Sequence, residues 1–193
     1  MLKFRRGAKS DATSLALFLD AAGRRLPSYF WSLYAAEGQS YFEFGREKIR
    51  TDTEANSYCE NWQIGEVDND VVGALFGFRV EDPYPEIDYE NEKTWWIPFL
   101  ELEQMAAGSW LLQAISILPE YRGKGYAGAF LAKAEEVARK QGADKITLQV
   151  EEINQVALKI YMKNGYSESG RRTLKPIPFS DDIGDIFLLE KYL

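Results

Sequence analysis

The chain has 193 residues, a formal net charge of −7, no histidine and one cysteine, Cys59. That length buries a core as one domain or two small ones, and the acidic balance excludes general nucleic-acid binding, which needs a positive surface against phosphate. The missing histidines and second cysteine exclude Ser-His-Asp and Cys-His catalysis, the common metal clusters and an internal disulfide. The N-terminal MLKFRRGAKSD is cationic with no apolar segment behind it, and no apolar run is long enough to span a bilayer. A soluble cytoplasmic protein with neither a membrane nor a nucleic-acid partner is expected.

In chain order, LKFRRG reads as a short first strand. DATSLALFLDAAG then sets Leu15, Leu19 and Ala22 at helical spacing, with Asp11 as cap and Gly23 as stop. An aromatic-rich helical region follows from about Ser28 to Arg50. Its seven aromatics between Tyr29 and Phe44 suit a packed helix pair, or a lid over a binding site. NWQIGEV and VVGALFGFRV flank DND as a hairpin. Residues 81–109 break the pattern with Pro83, Pro85 and Pro98, which predicts an insertion or loop. SWLLQAISI resumes as a largely apolar central strand, KITLQVE alternates as another, NQVALKIYMKNG is a short capped helix, and DIFLLEKYL closes the chain as a strand. There is no internal repeat. The alternation predicts one mixed α/β (α+β) domain over 1–193.

The densest signal is PEYRGKGYAGAFLAKAEE at residues 119–136. From Tyr126 onward, Ala127, Phe130, Leu131, Ala134, Val137 and Ala138 share one helical face. On the other face Glu135 and Arg139, and Glu136 and Lys140, are four apart, and Gly142 ends the helix. A helix N-terminus leaves amides without intrahelical partners and carries the positive end of the helix dipole, so an anion is favoured there. Gly123 and Gly125 remove side chains from those amides, while Arg122 and Lys124 add charge, which points to a phosphate-bearing ligand. An alternative keeps the glycines for a tight turn and the cations for solvent. GKGYAG matches the spacing GxGxxG, but Leu118 to Arg122 separate it from the strand, unlike a dinucleotide fingerprint, and no GxxxxGK[ST] is present.

LPEYRGKGYAGAFL resembles the acyl-coenzyme A binding motif of the GNAT family of N-acetyltransferases, in which Arg or Gln is followed by two residues, Gly, one residue, then Gly or Ala. Arg122, Gly125 and Ala127 fill those places. NQVALKIYMKNGY, further on, is similar to a second family pattern of Asn, a spaced small residue, Tyr and a closing Gly-aromatic pair. The resemblance implies the GNAT acyltransferase fold, a central, mostly antiparallel twisted sheet flanked by helices, splayed between its fourth and fifth strands to admit coenzyme A. It implies an acetyl-CoA co-substrate, no metal, and transfer of the acetyl group to a primary amine of a small molecule or protein. The implied cofactor-binding residues are Ile115 and Ile117 on the preceding strand, Arg122, Gly123, Lys124, Gly125, Tyr126 and Ala127 in the turn, and Asn154 and Tyr161.

Such a transfer needs an N–H for the oxyanion, an acid for the departing sulfur and a base for the amine. The resemblance places the first at the Ile117 amide and the second at Tyr161, which lies two helical turns after Asn154 on nearly the same face. The same two residues also suit an N-cap and a core aromatic. Glu101 and Glu103 are candidates for the base, with Glu151 as another. Between Glu81 and Glu103 stand eight acids and one cation, Lys93, a composition suited to a cationic acceptor or to a solvated loop. Trp95, Trp96, Pro98 and Phe99 in the same stretch would form an apolar acceptor wall, cap the core or mediate a homodimer contact. Alternatives of other kinds are a non-catalytic acyl-CoA sensor and an acyltransferase with a longer donor or a hydroxyl acceptor.

Overall fold

A computed structural model describes residues 1–177 and 184–193. The chain forms two compact units, Met1–Gly77 with Gln113–Phe130, and Phe78–Leu112 with Leu131–Leu193. Among the described residues their seven strands are mostly antiparallel and are flanked by helices, a mixed α/β architecture. No helix among the described residues is long and apolar enough to cross a membrane.

In the first unit the strand order is β1-β2-β3-β4, with β1 at Lys3–Arg6, β2 at Gln63–Val67, β3 at Asp70–Arg79 and β4 at Trp110–Ile117. β2 and β3 form the expected hairpin, with Ile64 opposite Ala74. The turn between them holds two consecutive left-handed residues, Asp68 at φ 52° and Asn69 at φ 72°, which matches the twist of the strands it joins. α1 (Ala12–Ala22) buries Ala12, Leu15, Ala16 and Phe18 against Trp62 and Ile64. Asp11 stands at its N-cap position without capping it. Instead the Asp11 carboxylate accepts from Arg5 Nη1 at 2.7 Å, from Arg5 Nη2 at 2.8 Å and from the Ala8 amide at 2.8 Å. The strand before α1 supplies a cation, and a charge-assisted fork outcompetes a single amide.

The aromatic region is two helices, α2 (Leu26–Tyr34) and α3 (Tyr41–Thr51), rather than one. Gly38 interrupts them at φ 81°, and Ser40 opens α3 with a capping box: its hydroxyl accepts from the Glu43 amide at 3.1 Å while the Glu43 carboxylate accepts from the Ser40 amide at 2.9 Å. The helices touch where the buried Trp31 ring lies on Gly45, close enough that a Cβ on Gly45 would overlap the ring. This is a packed pair; of its other aromatics, Phe42 and Phe44 lie on the core, while Tyr34 and Tyr41 are exposed.

In the second unit the order is β4-β5-β7-β6, with β5 at Lys145–Glu151, β6 at Ser167–Thr173 and β7 at Asp185–Tyr192. β4 and β5 are parallel and paired at Trp110↔Ile146 and Leu111↔Thr147, whereas β5 is antiparallel to β7 along its whole length. The motif helix, α5 (Tyr126–Lys140), buries Phe130, Leu131, Ala134 and Ala138 and stops before Gly142 at φ 75°. α6 is Gln155–Lys163. Three features depart from the sequence reading. The stretch 81–109 is not loop throughout: α4 (Ile97–Met105) occupies its end, with Pro98 in the first turn, where the missing N–H costs nothing. β6 is a polar strand that carries no apolar alternation. Glu135 is buried rather than on the solvent face of α5, because Lys191 of β7 donates to it at 2.7 Å.

Candidate functional site

The first group of predicted site residues lies at the end of β4 and the start of α5. The Leu118 amide donates to the Val72 carbonyl of β3 at 2.9 Å. Strand groups alternate in direction, so the N–H and C=O of Ile117, and by the same period those of Ile115, point away from β3. A short helical turn, Pro119–Tyr121, follows, and the Arg122 amide closes it on the Pro119 carbonyl at 3.2 Å. Arg122 Nε reaches back to the Ile117 carbonyl at 2.9 Å, leaving the rest of the exposed guanidinium to solvent. Tyr121 donates its hydroxyl to Asp70 at 3.2 Å, and Lys124 Nζ lies 4.9 Å over the Tyr121 ring.

Gly123 and Gly125 take φ values of 74° and 81°, the left-handed region that L side chains rarely enter. A Cβ built on either meets nothing within 4 Å, so the glycines answer the backbone conformation and leave open space in front of it. Among the described residues no acceptor takes the amides of Gly123, Lys124 or Gly125. Successive free amides, two cations and the first turn of a fifteen-residue helix make a cradle that fits a phosphate group.

The second group belongs to the other unit. α4 buries Pro98, Phe99 and Leu102 and presents Glu103 half-buried, where the Tyr84 hydroxyl donates to its Oε1 at 3.4 Å. Burial pushes the Glu103 carboxyl above the usual carboxylate range, and the Tyr84 hydrogen bond opposes part of that rise. Burial and then the Glu103 charge push the Tyr84 phenol up to about 12. Glu101 is engaged differently: Arg172 Nε of β6 donates to its carboxylate. Trp95 and Phe99 are buried and Trp96 stacks on Phe99 at 4.9 Å, so the predicted apolar wall is largely core.

On α6, Asn154 caps the helix, its side-chain oxygen accepting from the Ala157 amide at 3.2 Å. Tyr161 is half-buried, and burial pushes its phenol up to about 12. Glu151 ends β5, opposite Ile186. Cys59 is buried, and that burial pushes its thiol up, as expected of a structural cysteine. The sequence reading did not single out Tyr84 and Arg172, the partners of the two glutamates. Neither carries a local pattern, since each is joined to its glutamate only by the fold.

The sequence pattern of the acetyltransferase (GNAT) family matches residues 27–166. The chain belongs to this family. An uncharacterized N-acetyltransferase of Bacillus subtilis, YhfO, is 37% identical over 59 residues, 31% of this chain. The match spans 40% of that relative's length. Among solved structures, the acetyltransferase yncA of Salmonella typhimurium with its cofactor acetyl-CoA superposes with a TM-score of 0.63 at 13% identity, covering 99% of this chain and 93% of that one. Spermidine N-acetyltransferase of Vibrio cholerae, in complex with CoA and spermine, gives 0.62 at 19% identity over 99% and 95% of the two chains. At these identities the superpositions show the GNAT fold, while the matched family pattern includes both the Arg122 to Ala127 turn and Tyr161.

Proposed function

We propose that this GNAT protein transfers the acetyl group of acetyl-CoA directly to a primary amine of a small molecule or protein. The observation that carries the reading is the open glycine cradle at Arg122–Ala127, whose free amides face solvent at the head of α5. In this reading the amides of Gly123 to Ala127, with the Arg122 and Lys124 charges, hold the pyrophosphate, the outward-facing groups of Ile115 hold the pantetheine arm, and Ile117, whose carbonyl Arg122 occupies, offers its N–H to the thioester end. Acetyl-CoA supplies a thioester whose C–S bond breaks as the C–N bond forms.

The Ile117 N–H, turned away from β3, is the oxyanion donor. Tyr161 is given the role of donor to the departing sulfur. At about 12 its phenol stays protonated across the working range, yet it is a weaker acid than an ordinary thiol near 8.5. Its contribution is therefore a strong hydrogen bond to the thiolate, with full proton transfer left to solvent. Glu103 takes the amine proton: burial raises its pKa above that of a solvated glutamate, which makes it the stronger base once ionised. Of the two glutamates this assigns the role to the one that no cation holds. An amine acceptor is supported by the spermine bound in the Vibrio cholerae relative and by the acidic run from Glu81 to Glu92.

Calorimetric titration with acetyl-CoA tests the donor site. Saturable binding by the wild type, abolished in Gly125→Glu, is the expected result, and absence of binding at millimolar ligand overturns it. A screen of amines for acetyl-CoA-dependent thiol release then identifies the acceptor, and Tyr161→Phe is expected to lower kcat about 10- to 100-fold.

A further inference from the structure

The end of α6 is built as a double-bonded cap around Tyr161. The Gly165 amide donates to the Met162 carbonyl at 3.1 Å, and the Tyr166 amide donates to the Tyr161 carbonyl at 3.2 Å. Gly165 takes the left-handed conformation, φ 88°, that this pair of bonds requires. In such a cap the residue after the glycine folds back onto the last full turn of the helix, and here it is an aromatic that meets an aromatic. The Tyr161 and Tyr166 rings lie 6.0 Å apart at 58°. Tyr161 is thus gripped twice by Tyr166, once through its backbone carbonyl and once through its ring.

Tyr166 is itself immobilised. It is 2% exposed. Lys191 Nζ stands 5.7 Å over its ring and donates at 2.7 Å to the buried Glu135, which Arg139 approaches at 3.9 Å. Three elements, α5, the α6 cap and β7, therefore converge on one ring. The Tyr166 hydroxyl is buried and makes no hydrogen bond among the described residues. Burial and the neighbouring Glu135 charge hold it in its neutral form. An uncharged group without a hydrogen-bond partner moves no proton, so the useful part of this side chain is its ring.

We propose that Tyr166 is the positioning residue for Tyr161, fixing the direction of the phenol through the cap and the ring contact. The proposal rests on the reading of Tyr161 as donor to the departing sulfur. It predicts a division between ring and hydroxyl: Tyr166→Phe keeps kcat within about twofold, whereas Tyr166→Leu lowers it roughly tenfold with the KM for acetyl-CoA unchanged. Gly165→Ala, which strains the cap without touching either ring, is expected to lower kcat in the same way.

The test pairs steady-state kinetics with NMR of protein carrying ring-labelled tyrosine, the Tyr161 signal being assigned by its loss in Tyr161→Phe. In Tyr166→Phe the Tyr161 ring resonance should stay where it is, and in Tyr166→Leu and Gly165→Ala it should move and broaden. Equal loss of kcat in Tyr166→Phe and Tyr166→Leu overturns the proposal, as does an unmoved Tyr161 resonance in a folded Tyr166→Leu or Gly165→Ala protein. Parental kcat in Tyr161→Phe removes instead the role given to Tyr161. The resonance still reports in that case whether Tyr166 fixes the ring.

Discussion

Arg122 and Ile117 are tied to each other by a 2.9 Å hydrogen bond from the guanidinium Nε to the strand carbonyl. That bond links the last residue of β4 to the first cation of the glycine turn, so the same side chain shapes the turn and charges it.

Removing this side chain should weaken donor binding through both effects. Arg122→Met is expected to raise the Kd for acetyl-CoA about 10- to 100-fold, the scale of one or two charge-assisted hydrogen bonds. Arg122→Lys should recover part of the loss, since it restores the charge but not the Nε donor to the Ile117 carbonyl or the planar fork proposed to reach the phosphate. Calorimetry at two salt concentrations separates the contributions, because only the charge is screened.

In the proposed reaction the pH dependence of kcat follows from Glu103. Its carboxyl titrates above the usual range, and the base works only when ionised, so kcat should fall as pH drops through that raised value. Tyr84→Phe removes a hydrogen bond that holds the value down, and should move the acid limb to higher pH. Glu103→Gln should abolish the limb and lower kcat about 100-fold or more. Rate profiles of the three proteins, with a saturating amine, check the assignment.

Gly45→Ala reverses an ordinary rule. In an exposed helix the change stabilises by about 1 kcal/mol. Here the added methyl meets the Trp31 ring across the α2–α3 contact, and the expected result is a loss of about 1–3 kcal/mol in urea unfolding.

Asp11 supplies a second titration, of opposite sign. Arg5 lowers its carboxyl pKa more than burial raises it. A carboxylate so lowered stabilises the fold above its unfolded pKa and loses that contribution as pH falls through the folded value. Asp11→Asn should therefore cost about 1–2 kcal/mol at neutral pH, discounted for the partly exposed Arg5. The difference from wild type should shrink toward zero in acid, which unfolding curves at the two pH values will show.

The parts of this fold legible in the sequence are those set by local chemistry. The Asp-Asn turn, the apolar stripe of α5, the Asn154 cap and the glycine turn each follow from a few adjacent residues. What escaped depends on partners distant in the chain. Glu135 reads as half of a surface pair with Arg139 until Lys191, fifty-six residues later, makes its burial affordable. Asp11 looks like a cap until Arg5 takes it, and Glu101 looks like a free carboxylate until Arg172 does. β6, SESGRRT, carries no apolar alternation, and among the described residues it has one strand neighbour, β7. α4 was masked by the prolines around it, although Pro98 suits the position where a helix begins.

The two outermost strands share a property with a bearing on solubility. β1 is KFRR and β6 is SESGRRT, so each of the two strands with a single strand neighbour among the described residues carries two arginines. A border strand offers unpaired amides and carbonyls to any stray extended chain, including a partly folded copy of the same protein. Here an incoming strand would meet arginines already held by carboxylates, Arg5 by Asp11 and Glu66 and Arg172 by Glu101, and would have to crowd or displace those ion pairs. The addition of like chains is thereby disfavoured at β1 and, separately, at β6.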